Sequence, residues 1–194
     1  MKGNRMKKVF FGGKALLIVI VCYSCGKFES KKDASYDSLF LGISLGMGKK
    51  QFYDYCWELN RQKKITHGPT NESVEFKLVE DALKNPVMMR FYPTFHEEKI
   101  SEMPVTFAYE AWAPWNKQYS ADSLLVEMLG VFKGWYGEEF KVLEHPTMGT
   151  VYYKMDGKRR INLFKRDDQF VQAVFTDLAV EKSVKEQKEK VSQN

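Results

Sequence analysis

From Leu39 onward the apolar residues follow two rhythms. Phe52, Tyr55, Cys56 and Leu59 recur at i, i+3, i+4 and i+7, the spacing of one helical face, and predict a helix from about Lys49 to Gln62. Gly48 stands where a capping Ser or Thr would, with Gln51 able to reach back to a free backbone N–H. His67-Gly68-Pro69 ends this segment, and the rhythm then changes to alternation. Val74, Phe76 and Leu78 face one way, with Ser73, Glu75 and Lys77 facing the other, as in a half-buried strand. A second strand is predicted over Val87–Phe95, with Pro93 marking an edge or an end because it lacks a ladder N–H. His96 to Met103 reads as a charged loop, and Val105, Phe107, Tyr109 and Ala111 define a third strand closed by Pro114.

The order then repeats. Ser120 is a helix N-cap, Leu124, Leu125, Met128, Leu129, Phe132 and Trp135 or Tyr136 form the apolar stripe, and Gly137 is the C-terminal stop. Strands follow at Phe140–Leu143, Val151–Met155, about Arg159–Lys165 and Phe170–Thr176, with Asp156-Gly157 predicted as a type I′ hairpin turn. Residues 179–194 are polar, a fraying helix or a tail. The expected fold class is α+β: a helix followed by antiparallel meander strands, the order repeated twice over about 39–116 and 117–178, with helices on one face of the sheet.

The first 38 residues follow neither rhythm. Lys2, Arg5, Lys7, Lys8 and Lys14 precede the apolar run Ala15–Cys22, and the segment closes on Tyr23-Ser24-Cys25-Gly26. A basic start, a short apolar middle and a small residue at the end describe a secretory signal, residues 1–24, with Met6 as an alternative start. The apolar run falls well short of the roughly 20 residues a bilayer-spanning helix requires. Ser24-Cys25-Gly26 resembles the lipobox of bacterial lipoproteins in the loose form common in Bacteroidetes-type bacteria, although Cys22 and Tyr23 depart from the family's aliphatic and small positions. The resemblance implies that Cys25 becomes the first mature residue and is acylated (palmitate among the chains), placing the protein in the bacterial cell envelope, at the outer membrane. Several acyl chains hold a soluble domain at a bilayer where one does so only marginally. An ordinary secretory signal with a chance Cys and a retained membrane helix are the competing readings. Residues 25–38 are polar and form a flexible tether.

Ile43-Ser44-Leu45-Gly46-Met47-Gly48-Lys49-Lys50-Gln51-Phe52 resembles the run that opens the first helix in envelope lipoproteins of the BamE (SmpA/OmlA) type and in beta-lactamase-inhibitor-like domains, with Gly48 replacing Ser or Thr. That resemblance implies an envelope role in binding other proteins and carries over no catalytic residue.

Charge narrows the choice of partners. The net charge of +5 equals the five basic residues that precede Cys25, so the mature chain is neutral. It therefore lacks the basic footprint of a nucleic-acid reader. Once Cys22 is removed and Cys25 acylated, Cys56 is the only thiol left, and it sits on the apolar face of the predicted helix as a structural residue. His67, His96 and His145 are far apart in loops and form no helical metal-ligand pair, and no phosphate-cradling glycine loop is present. Gly42-Ile43-Ser44-Leu45-Gly46 spells a nucleophile elbow, yet it lacks the strand-turn-helix setting in a parallel sheet which that chemistry uses. The acidic pairs Glu97-Glu98, Glu138-Glu139 and Asp167-Asp168 read as solvated loops.

One stretch, Tyr109 to Tyr119, gathers large aromatics around Pro114. Trp112, Trp115 and Tyr119 are candidate binding residues, with core cover as the competing role. The expected protein is non-enzymatic and lipid-anchored, with no cofactor and no metal. Its expected partners are the membrane and another envelope protein. A glycan- or peptide-binding accessory lipoprotein is the alternative, and a small hydrolase a more distant one.

Overall fold

The computed structural model describes residues 37–69 and 73–192. The proposed signal peptide, Cys25 and nearly all of the tether lie outside the described residues. Three α-helices, α1 (Lys49–Arg61), α2 (Ala121–Tyr136) and α3 (Leu178–Ser192), accompany nine strands: β1 (Thr66–His67), β2 (Val74–Leu78), β3 (Val87–Phe91), β4 (Thr94–His96), β5 (Lys99–Tyr109), β6 (Lys141–His145), β7 (Gly149–Asp156), β8 (Arg159–Lys165) and β9 (Val171–Asp177). All pairings are antiparallel, in the order β1-β2-β3-β5-β9-β8-β7-β6, with β4 pairing β5. The class is α+β, one antiparallel sheet fed by helix-plus-meander units whose last strands, β5 and β9, meet at the centre.

Register explains the core. Cross-strand rows such as Phe76, Met89, Phe107 and Val171 put apolar residues of successive strands on one face. Helix α2 covers that face, its Leu124, Met128 and Phe132 fully buried. Helix α1 covers another part through Phe52, whose ring meets Tyr92 and Phe95 edge-on. The segment Leu39–Met47 fills the rest, with Phe40 against both Phe91 and Phe175. The opposite face carries Pro104, Val174, Asn162 and Tyr153 in one row, all half-buried. There Arg160 makes two 2.9 Å hydrogen bonds to the Glu181 carboxylate and ties down the start of α3.

Three local expectations change. The strand predicted over Val87–Phe95 is two strands, separated at Tyr92-Pro93. The charged loop His96–Met103 is instead the turn and first half of β5: His96 pairs Lys99, and the two-residue loop Glu97-Glu98 has φ +48° and +58°. Positive φ at both central positions is the type I′ pattern, here without the usual Asn or Gly. Asp156 pairs Arg159, so the loop there is Gly157-Lys158, with positive φ (+55°) at Gly157 alone, the type II′ pattern rather than I′. Side chains that adopt left-handed φ reluctantly need outside support. For Glu97-Glu98 it comes from the chain at the start of α1: the Lys49 N–H donates to the Glu98 carbonyl at 2.7 Å, and the Ile100 N–H donates to the Met47 carbonyl at 2.9 Å.

Candidate functional site

A concavity of about 760 Å³ opens beside the segment Ser38–Leu41. It is lined by Phe76 and Met89 from β2 and β3, Trp135 and Tyr136 at the end of α2, and Asp156 and Arg159 from the β7–β8 hairpin. The strap Ser38–Leu41 that borders it is held from three elements. The Tyr55 hydroxyl of α1 donates to the Leu41 carbonyl at 2.8 Å, and the Tyr136 hydroxyl of α2 donates to the Leu39 carbonyl at 2.9 Å. The Arg159 guanidinium of β8 donates to the Ser38 carbonyl. Leu41 and Gly42 both have positive φ, +51° and +78°, and a Cβ on Gly42 would stand 2.5 Å from the Tyr55 hydroxyl oxygen, so only glycine fits there.

Arg159 is the electrostatic centre. Its side chain is only 5% exposed, yet each of its three nitrogens has a partner: Nε and Nη2 reach the Asp156 carboxylate at 2.9 and 2.7 Å, Nη1 reaches Ser38, and the Tyr136 ring lies 4.8 Å away in cation–π geometry. A buried guanidinium is tolerated when it is paired and fully hydrogen-bonded. Burial pushes the Tyr136 hydroxyl's ionisation far above its usual range, with Arg159 opposing and Asp156 adding to the shift. The phenol is thus a fixed donor to the strap. With Arg159 and Tyr136 already committed, the cleft offers a visitor apolar walls flanked by the charged Lys77 and Glu80.

The sequence-selected aromatics do not converge. Tyr119 and Trp112 are partly buried against the core, with the Tyr119 ring 5.2 Å from Tyr109. Trp115 stands 84% exposed. A smaller depression of about 350 Å³ is lined by Trp112, Pro114 and Asn116 but by neither Trp115 nor Tyr119. His67 and His145 fall on β1 and β6, the two edges of the sheet, and among the described residues no cluster of three His, Cys, Asp or Glu side chains could hold a metal ion. Ser44 lies in the chain before α1, bridged to Ser38. Asp167 accepts from the Gln169 and Phe170 N–H groups; burial pushes its pKa up, and these bonds and Arg166 outweigh that and hold it below the usual carboxylate value. The pair Asp167-Asp168 is thus turn structure. Arg159 escaped sequence reading, although its parity with the apolar Ile161 and Leu163 on β8 was a signal: a charge in a buried row.

No family model, no curated protein and no solved structure matches this chain.

Proposed function

We propose that the protein is a lipid-anchored, non-enzymatic component of the bacterial cell envelope, held at the outer membrane through acylated Cys25, and that its domain binds another envelope protein. The observation that carries this reading is the run of basic residues, short apolar segment and Ser24-Cys25-Gly26 at the start of the chain. The neutral mature chain speaks against a nucleic-acid partner. An apolar-walled cleft whose buried charges are already paired is suited to recognition by shape. The likeness of Ile43–Phe52 to the BamE-type run adds the expectation of a protein partner.

Fractionation tests the placement. The native chain is expected to sediment with membranes and to be released by detergent, whereas Cys25→Ser is expected in the soluble periplasmic fraction. Equal membrane association of the two would contradict the anchor. The exposed Trp115 favours a second reading, a glycan- or peptide-binding accessory role for the 112–119 segment. Quenching of fluorescence on adding envelope glycans, lost in Trp115→Ala, would support that role; unchanged emission with every glycan would count against it.

A further inference from the structure

A second concavity, about 370 Å³, lies between α1 and the edge formed by β1 and β2. Its volume is in the range of small-molecule sites, roughly 300–1,000 Å³. Its walls differ in kind from those of the larger cleft. Tyr53 and Trp57, one helical turn apart on α1, are 42% and 68% exposed, although large aromatics usually bury most of their area. The Tyr53 hydroxyl meets the Tyr92 hydroxyl at 2.6 Å across the groove's end. The remaining polar lining, including Asn60, Thr66 and His67, is neither carboxylate nor lysine nor arginine among the described residues. Among the described residues the lining has one carboxylate, Asp54, ion-paired to Lys50 at 2.6 Å. Cys56 in the wall is half-buried, and burial pushes its thiol up to about 11, so it is a neutral wall group and not a nucleophile at physiological pH.

Exposed aromatic faces beside uncharged hydroxyl and amide groups match one ligand chemistry closely. A pyranose ring has an apolar C–H face and a rim of neutral hydroxyls. An anionic ligand would find no Lys or Arg among the described lining residues, and a cationic one would have to compete with Lys50 for Asp54. We propose that this groove is a binding site for an uncharged saccharide, with Trp57 and Tyr53 as the stacking surface and the Tyr53–Tyr92 hydroxyl pair as hydrogen-bonding contacts. The site rests on the folded domain alone, so it stands or falls separately from the lipid anchor and from the protein partner of the larger cleft.

The test is a titration of the full chain, in a sugar-free detergent, with a panel of neutral oligosaccharides (cellotriose, maltotriose, xylotriose, triacetylchitotriose), of polygalacturonate fragments as acidic counterparts, and of an apolar hexapeptide, read by saturation-transfer NMR and tryptophan fluorescence. Saturable binding of at least one neutral saccharide in the millimolar range or tighter is expected. That affinity should fall by about tenfold or more in Trp57→Ala, as for an anchoring aromatic. Tyr53→Phe, which keeps the ring, should weaken binding by less, and Trp115→Ala should leave it unchanged. Thermal unfolding of each variant separates lost binding from lost fold. The proposal is overturned by any of four results: no neutral saccharide saturates, Trp57→Ala binds as the native chain does while folded, the acidic fragments bind equally well, or only the peptide binds.

Discussion

The two helix-plus-meander units use their helices in opposite ways. In the second unit, α2 sinks five residues into the core, and Phe132 alone packs against rings from Phe107, Trp135, Tyr136, Phe140 and Phe175. In the first unit, α1 buries only Phe52 and Leu59, and turns Tyr53 and Trp57 outward beside a groove. Their starts differ too: Ser120 caps α2 by accepting from the Ser123 N–H, while Gly48 at the start of α1 has no side chain to offer. The contrast teaches that a repeated layout need not repeat a role. One helix closes the core, and the other leaves aromatic surface available for recognition.

The largest expected effects fall where the second unit closes. Phe132→Ala should cost about 3–5 kcal/mol, the range for deleting a fully buried aromatic ring. Trp57→Ala on α1 should stay within about 0.5 kcal/mol, as for exposed positions. Denaturant melts check both; comparable losses would erase the contrast. Arg159→Leu strands a buried Asp156 carboxylate and should cost about 3–5 kcal/mol. Adding Asp156→Leu should recover much of that loss. If the double variant is no more stable than Arg159→Leu, the charge pairing is not what holds the strap there.

Smaller effects sharpen the same comparison at the helix starts. Ser120→Ala should destabilise by about 1 kcal/mol, and Gly48→Ser should stabilise by a few tenths of a kcal/mol by supplying the missing cap. A Cβ on Gly48 meets nothing within 4 Å, so no clash opposes that gain. Matched thermal melts measure both. The smallest effect is on reactivity. Since burial raises the Cys56 thiol to about 11, its alkylation rate should climb with a midpoint near that value and not near the ordinary thiol range of about 8.5. The sign for stability follows: the neutral thiol's contribution is complete below the unfolded value of 9.0 and is lost as pH rises toward 11. Cys56→Ala should remove that part of the alkaline loss, as pH-dependent melts would show.

Helix α2 was legible because stripe, cap and stop agree over a long segment, and local signals that agree are the ones a sequence displays. The β4–β5 hairpin was not. Glu97-Glu98 carries no turn signal, and its left-handed backbone is held by the chain at Met47–Lys49, about fifty residues away. The strap was hidden for the same reason: Ser38 and Arg159 are 121 residues apart, and nothing near either announces the contact. The aromatic run 109–119 was visible as a cluster, but its division into core-packed Tyr119 and solvent-facing Trp115 depends on where the 3₁₀ turn Lys117–Tyr119 lies. Tyr53 and Trp57 left a fainter signal, two large aromatics off the apolar stripe of their own helix.

The proposed role rests on the chain's first mature residue. Mass spectrometry of the N-terminal peptide, from protein isolated from its own host, reads that residue directly. Cleavage before Cys25, with a diacylglyceryl group on its sulfur and an acyl chain on its amine, is the expected result. A peptide in which Cys25 is unmodified, whether cleaved elsewhere or retained with residues 1–24, would contradict the envelope anchor and the role built on it.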